Sequence, residues 1–195
     1  MAAKLGTGRI VASLESERLQ IGFFELGVNY YLVGRFAFLR APSTVGVNSL
    51  HHAVEMFLKG MLAHHITIDE LRNGLGHDLE KAWKLAKSKF SGVDLTEFDA
   101  TIAKLHRFEL IRYPDIIVRE GANISMGLFS GDDDIGGQLY PPPNPATTYR
   151  LALEDVDKLI KRLFELSNNN PPFYLNRLRA EARAILTEQN LHSLV

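Results

Sequence analysis

The chain has 195 residues, enough for one domain with a substantial core, and 46% of them are hydrophobic. Its 22 lysines and arginines nearly balance its 23 aspartates and glutamates, so the net charge of −1 gives no overall positive field for DNA, RNA or anionic lipid. The absence of cysteine excludes disulfides, thiolate catalysis and cysteine-bound zinc.

Nothing in the sequence predicts a targeting or membrane segment. The first residues lack the apolar run of a signal peptide, and the most apolar region, 21–39, contains Glu25, Asn29 and Arg35. We therefore expect a cytoplasmic protein with no membrane or DNA partner.

The first predicted helix begins at Ser13, a candidate N-cap, and ends near Arg40 because Pro42 opposes its continuation. Residues 1–12 have no clear periodicity and are expected to form a loosely docked arm. The helix carries apolar residues at Leu19, Phe23, Leu26, Tyr30 and Val33 and an apolar cluster at 36–39.

Two features of this helix concern its packing. Gly22, Gly27 and Gly34 either mark the close approach of another helix or are simply tolerated. Tyr30 and Tyr31 are expected to pack through their rings, with their hydroxyls in water.

The second predicted helix covers residues 49–65, with an extension back to Val47, after a turn at 41–46. Its apolar residues recur at helical spacing in a stripe wide enough to face a core on more than one side. They are Leu50, Val54, Phe57, Leu58, Met61 and Leu62. We interpret this segment as the central helix of a bundle.

A short turn and a third helix follow the central helix. Thr67 and Glu70 match a capping box, which starts a turn of helix that residues 73–76 end. Asp78 lies where an acid favours a helix N-terminus, and the third helix is predicted over 79–90.

The fourth predicted helix, 97–112, is capped by Asp94 or Thr96 and stops at Pro114. Beyond it, apolar residues no longer recur at helical spacing, and residues 115–150 are predicted to form a long irregular insertion.

Within the insertion, residues 116–118 and 124–129 are candidates for a small hairpin, and the acidic triplet 132–134 is expected to be a solvated turn. A helix resumes near Leu151 and ends near Leu166. A last helix is expected within 171–190, packed across the bundle or forming a subunit contact.

These elements predict an all-α, up-and-down helical bundle of about five to six helices with a long irregular insertion. The bundle spans 13–166, with its insertion at 115–150, and the C-terminal helix occupies 171–190.

Polar residues occupy the remaining arc of the central helix. His52, Glu55 and Lys59 lie at i, i+3 and i+7, so their side chains point the same way. Glu55 and Lys59 are also a favourable i,i+4 pair. We interpret this pair as a semi-buried tie from the central helix to the turn at His77 and to Arg112.

Three motifs, in this order, resemble those of the HEPN (higher eukaryote and prokaryote nucleotide-binding) family. They are His-Ala-Val-Glu-Met-Phe-Leu-Lys-Gly-Met-Leu at 52–62, Gly-His-Asp-Leu at 76–79, and Leu-Ile-Arg-Tyr-Pro at 110–114. The resemblance covers about 46–115, or 15–166 with the flanking helices. It implies a helical bundle that often dimerises, whose members are ribonucleases, toxins, binders of nucleotides or RNA, or inactive scaffolds.

The resemblance also says what a catalytic member would need. Such members carry an arginine followed closely by a histidine near the start of a late helix, where the histidine would move protons and the arginine would hold phosphate. Here no histidine closely follows Arg107 or Arg112. The one literal match, Arg72 with His77, lies in the loop before the third helix.

We therefore expect a HEPN-like binding or interaction module that lacks the ribonuclease motif, forms a homodimer and needs no cofactor, with RNA or a nucleotide as the candidate ligand. The residues that could line one binding cleft are His52, Glu55, Lys59, His77 and Arg112.

Other roles for these residues stay open. The chain could be a divergent, metal-independent, toxin-like endoribonuclease that uses Arg72 and His77, or Arg112 and His106. Alternatively, His77 could be structural, bonding its own loop or Glu55.

We predict no metal site, and one alternative remains. His51 and Glu55 are i,i+4 ligands on one face of the central helix. A di-metal bundle would need a second ligand helix, for which the fourth helix offers His106 and Glu109.

Overall fold

The fold is an all-α helical bundle with a small sheet added to it, which confirms the predicted fold class. The protein is seen in a computed structural model that describes residues 4–41, 43–131, 135–138 and 147–194. Its α-helices are α1 (Lys4–Arg40), α2 (Thr44–Leu62), α3 (Leu79–Lys89), α4 (Asp99–Leu110), α5 (Pro114–Glu120), α6 (Leu153–Leu166), α7 (Pro171–Leu175) and α8 (Ala180–Thr187). Its strands are β1 (Asn123–Gly127), β2 (Ile135–Gln138) and β3 (Thr148–Ala152). No helix in the described part of the chain is long and apolar enough to cross a membrane.

Helix α2 is the centre of the bundle, as its wide apolar stripe predicts. It contacts α1, α3, α4 and α6, and each residue of the predicted stripe is at most 2% exposed. The helix begins earlier than predicted because Ser43, rather than a later residue, is its N-cap. Burial on several sides makes α2 a rigid support for any side chain that projects from it.

Helix α1 starts well before its predicted boundary. It begins at Lys4, so Ser13 is not an N-cap, and the arm expected at 1–12 is helical from Lys4 onward; residues 1–3 lie outside the described residues. The face that α1 buries also differs from the apolar series read from the sequence. Its buried residues are Phe24, Val28, Tyr31, Arg35 and Phe38, whereas Leu26, Tyr30, Val33 and Phe36 are exposed.

Two of the three glycines singled out in α1 mark its close approach to α2. A Cβ on Gly34 would lie 2.7 Å from Leu50 Cδ2, and one on Gly27 would lie 2.6 Å from the Phe57 ring. Gly22 has no neighbour within 4 Å and is only tolerated. Both predictions made for these glycines therefore hold at different positions: close helix approach at two of them and simple tolerance at the third.

A buried ion pair attaches the C-terminal region to the bundle. Arg35, fully buried on α1, pairs with Asp157 of α6 and donates to the carbonyl oxygens of Ile185 and Glu188. The Tyr31 hydroxyl donates to Asp157 Oδ1 at 2.6 Å, so the prediction that this hydroxyl lies in water was wrong. The predicted single C-terminal helix is also wrong, since 171–190 contains α7 and α8 with a turn between them.

The insertion is more regular than predicted. Pro114 opens α5 at its first position instead of beginning an irregular segment, so the proposed hairpin between 116–118 and 124–129 is wrong. Strand β1 instead lies in the middle of the sheet, antiparallel to β2 and parallel to β3. The acidic triplet 132–134 lies outside the described residues.

The third helix begins at its predicted N-cap, and the fourth begins later than predicted, at Asp99. Asp78 Oδ1 accepts from the Lys81 amide at 2.9 Å, as expected of an N-cap. Asp94 Oδ1 accepts from the Thr96 amide at 2.9 Å, but the prediction that Asp94 or Thr96 caps the fourth helix is wrong, since Phe98 is at the N-cap position of α4 and makes no side-chain cap. A 3-10 turn at Thr96–Phe98 leads into α4, which packs against both α2 and α3. This packing places the polar arc of α2 between the turn before α3 and the face of α4.

Candidate functional site

The chain brings the polar arc of α2 together with the turn that precedes α3. After α2 ends, the predicted capping box forms: Glu70 Oε2 accepts from the Thr67 amide at 2.8 Å, and Thr67 Oγ1 accepts from the Glu70 amide at 3.2 Å. A π-helical turn at Glu70–Gly74 then leads to Gly76, whose φ of +56° suits glycine. The turn reverses the chain and places His77 beside α2.

Glu55 is the common partner of three side chains, and we call Glu55 with His52, Lys59 and His77 the Glu55 cluster. Lys59 Nζ donates to Glu55 Oε1 at 2.7 Å. His52 Nδ1 and His77 Nδ1 each lie 3.2 Å from Glu55 Oε2. A carboxylate only accepts, so each of these nitrogens donates in its hydrogen bond.

The inner part of the cluster is sealed, and its outer part is open. Glu55 is 1% exposed and Lys59 is 7% exposed. Lys59 Nζ also donates to the Gly76 carbonyl oxygen at 2.8 Å, so the ammonium group bonds the turn as well as Glu55. The side chain of His77 is 66% exposed, and that of His52 is 23% exposed.

The hydrogen bonds of Glu55 outweigh the cost of burying it. Burial alone would raise the pKa of Glu55, whereas the hydrogen bonds from His52, Lys59 and His77 lower it, and the result is a pKa of about 2 instead of 4.5. Glu55 is therefore ionised at neutral pH.

A second polar region lies on the α4 side of α2. His51 is fully buried, its Nδ1 lies 3.1 Å from the Leu105 carbonyl oxygen, and its Nε2 is buried without a hydrogen-bond partner among the described residues. Burial lowers the pKa of His51, although the nearby charges of Glu109 and Glu55 act in the opposite direction. His51 thus lies between the Glu55 cluster and the polar face of α4.

Of the five candidate ligand-binding residues, the structure brings four into direct contact, and Arg112 makes its described contacts elsewhere. Arg112 pairs with Glu109 at 2.5 Å and donates to the Tyr113 hydroxyl at 3.0 Å. The predicted tie from Glu55 to His77 is present, and its predicted extension to Arg112 is not among the described contacts.

The candidate catalytic residues are spread over separate places. Arg72 is exposed on the π-helical turn, and no contact with His77 is described for it. His106 lies on α4, where its Nδ1 is buried without a hydrogen-bond partner among the described residues. No described contact joins either arginine to a histidine.

Two features of this region were missed in the sequence. His51 was weighed only as a metal ligand, although its position beside Leu50 and three residues before Val54 puts it in the buried stripe of α2. The buried pairing of Arg35 with Asp157 has no sequence signal, because the two residues are far apart in the chain and lie on different helices.

Comparisons with protein-family models, curated proteins and solved structures find no match to this chain. The resemblance to the HEPN family therefore depends on the three motifs alone and stays a prediction.

The lowered pKa of Glu55 makes a specific contribution to stability. Unfolding returns the carboxylate to an ordinary pKa of 4.5, so between about pH 4.5 and pH 2 the unfolded chain binds the proton more readily than the folded one. The contribution is complete above this window and is lost as the pH falls through it. We expect the difference in unfolding free energy between wild type and Glu55→Gln to shrink by about 3 kcal/mol from pH 5 to pH 2, measured by urea denaturation.

Glu80→Gln is the matched control, since Glu80 is an exposed acid on the neighbouring helix α3. This variant should follow the wild-type pH profile. If the difference in unfolding free energy between wild type and Glu55→Gln stays constant with pH, the hydrogen bonds of the cluster do not stabilise the ionised form of Glu55.

Proposed function

We propose that the protein is a cytoplasmic, HEPN-like helical binding module without ribonuclease activity, and that its ligand is RNA or a nucleotide. The observation that carries the proposal is the pair of imidazoles at the open side of the Glu55 cluster. His52 and His77 are held through Nδ1 by one carboxylate oxygen, and their ring centres are 5.9 Å apart. Neither Nε2 makes a hydrogen bond to a described residue, and these are the nitrogens that we propose for the ligand.

The chemistry of the two rings suits a nucleotide. An imidazole donates hydrogen bonds to phosphate oxygens and stacks on bases, and bases of single-stranded RNA are accessible to both interactions. The Lys59 ammonium, 2.7 Å from Glu55, compensates the carboxylate charge behind the histidines. A phosphate at His77 would therefore not face an uncompensated buried negative charge.

The positions of the arginines favour binding over catalysis. Phosphate transfer at a 2′-hydroxyl is served best by an arginine beside the histidine that moves the proton. Arg112 is paired with Glu109, and Arg72 has no described contact with His77.

The endoribonuclease alternative is supported by one observation. Two imidazoles oriented by the same carboxylate could serve as a general acid and a general base. Of the two residue pairs that the sequence suggests for this alternative, Arg72 with His77 and Arg112 with His106, only the first includes one of these imidazoles.

We also propose that the protein is a homodimer that pairs through α1. Leu26, Tyr30 and Val33 lie at i, i+4 and i+7 on this helix and are between 40% and 52% exposed, which is unusual for apolar side chains on one face. The exposed apolar face of one helix can pack against the same face of a second copy around a two-fold axis. The Tyr30 ring lies 5.4 Å from that of His52, so the paired face would adjoin the Glu55 cluster.

Binding can be measured with the purified chain and its variants. We expect a labelled single-stranded RNA of mixed sequence, or ATP, to bind the wild type, and His77→Ala to weaken that binding about tenfold, the loss of one charge-assisted hydrogen bond. The measurement is fluorescence anisotropy for the RNA and competition for ATP. His64→Ala, an exposed histidine beyond the end of α2, is the control and should bind as the wild type does.

The same samples, with chelator present, are examined on a gel for RNA cleavage. The proposal predicts intact RNA. Cleavage that disappears in His77→Ala or His106→Ala would establish the ribonuclease instead, and a wild type that binds neither RNA nor ATP would contradict the proposed ligand.

For the dimer, we expect the wild type to sediment as a dimer and Val33→Glu to sediment as a monomer, because the charge would be buried in the paired face. The measurement is sedimentation velocity over a range of concentrations. Val118→Glu changes a valine on α5 that is also more than half exposed and should stay dimeric. A monomeric wild type, or a dimer that Val33→Glu leaves intact, would contradict pairing through α1.

A further inference from the structure

The fully buried His51 has a nitrogen lone pair with no described partner. A carbonyl oxygen can only accept, so His51 Nδ1, 3.1 Å from the Leu105 oxygen, carries the ring proton. Nε2 is then the unprotonated nitrogen, and it is buried without a hydrogen bond from any described residue. A buried acceptor left unpaired is costly, which indicates a partner for this nitrogen outside the described residues.

The neighbours of His51 are ligands that metal ions use. His51, His52 and Glu55 each offer one ligand atom, and these atoms lie within 4.8 Å of one another. Among the described residues, no other group of three histidines and acids meets this distance. All three project from one turn of α2, the helix that the bundle holds on several sides.

We propose that His51, His52 and Glu55 bind a divalent first-row transition cation, with zinc as the representative ion. Two imidazoles and one carboxylate are a ligand set typical of such ions, and three protein ligands leave a coordination position open. The proposed set differs from the alternative considered in the sequence, since it lies on α2 alone and does not use His106 or Glu109.

The groups around the three ligands also fit a metal site. A histidine that ligates a metal commonly donates its other ring N–H to a backbone carbonyl, as His51 does to Leu105. Lys59 bonds Glu55 Oε1 and holds the carboxylate in place, although its positive charge opposes a cation. The Glu109 charge, which acts on His51 from α4, opposes the effect of Lys59.

The partial exposure of the site gives an ion and a ligand a way in. The His52 side chain is 23% exposed, and His77, at the same carboxylate oxygen, is 66% exposed. A bound cation would add positive charge on the side where we propose that phosphate binds. The metal site does not depend on that proposal, because zinc binding is measured without RNA or nucleotide.

The test uses the full chain after treatment with a chelator and gel filtration. Zinc is titrated by calorimetry, and Co²⁺ is added to a second sample as a spectroscopic probe of coordination. We expect one zinc per chain in the wild type, and His52→Gln to weaken binding by at least about tenfold, because even the loss of an outer-shell partner of a metal ligand costs about that much. The Co²⁺ spectrum should change in the same variant.

His64→Gln is the control, since it removes an exposed histidine that lies outside the proposed set and should leave zinc affinity unchanged. His51→Asn extends the test to the buried ligand, and circular dichroism checks that each variant is folded. If His51→Asn fails to fold, His52→Gln still decides the test, because His52 is partly exposed and its substitution should leave the fold intact. A wild type that binds no zinc, a His52→Gln variant that binds as tightly as the wild type, or equal losses in His52→Gln and His64→Gln would each overturn the proposal.

Discussion

The ionised carboxylate of Glu55, buried in the middle of the bundle, is the constraint on which the rest of the site depends. A buried charge is costly unless nearby donors compensate it, and Glu55 has three of them. Two come from its own helix, and the third, His77, comes from a turn 22 residues further along the chain. The hydrogen bond from His77 to the Glu55 carboxylate therefore fixes the position of the turn. Lys59 strengthens this link because it also donates to the Gly76 carbonyl oxygen.

The same arrangement separates a structural interior from a reactive surface. Glu55 and Lys59 are buried and bond each other, and Lys59 also bonds the turn, so the pair orients the residues around it. His52 and His77 have only one nitrogen each held in this way. The outer part of the site is consequently two oriented imidazoles on a rigid base, and the proposed phosphate ligand follows from that description. The proposed metal ion uses His52 together with His51 and Glu55 instead.

The sequence predicts the parts of the fold that local patterns determine. The buried stripe of α2, the Thr67–Glu70 capping box and the Asp78 N-cap depend on spacing within a few residues, and all three are confirmed. The contact between Glu55 and His77 was also predicted, but from the resemblance and from charge, since no local rule joins residues that far apart.

The errors have a shared physical cause, which is that long-range packing decides between local alternatives. Helix α1 has apolar residues on two faces, and only the neighbouring helices determine which face is buried. Arg35 interrupts an apolar segment in the sequence, yet it is buried because Asp157 and two carbonyl oxygens from the C-terminal region reach it. Pro114 follows one helix and begins the next. The sequence of β1 alone cannot indicate its partners, because they are strands from later in the chain.

The most direct test of this account is a double-mutant cycle between Glu55 and His77, read as the free energy of unfolding at neutral pH. The account predicts that Glu55→Gln, His77→Ala and the double variant are not additive, with a coupling energy of about 1 kcal/mol or more, because each residue stabilises the fold through the other. Additive effects, within about 0.3–0.5 kcal/mol, would show that the turn is held without Glu55 and would contradict the central role given to its carboxylate.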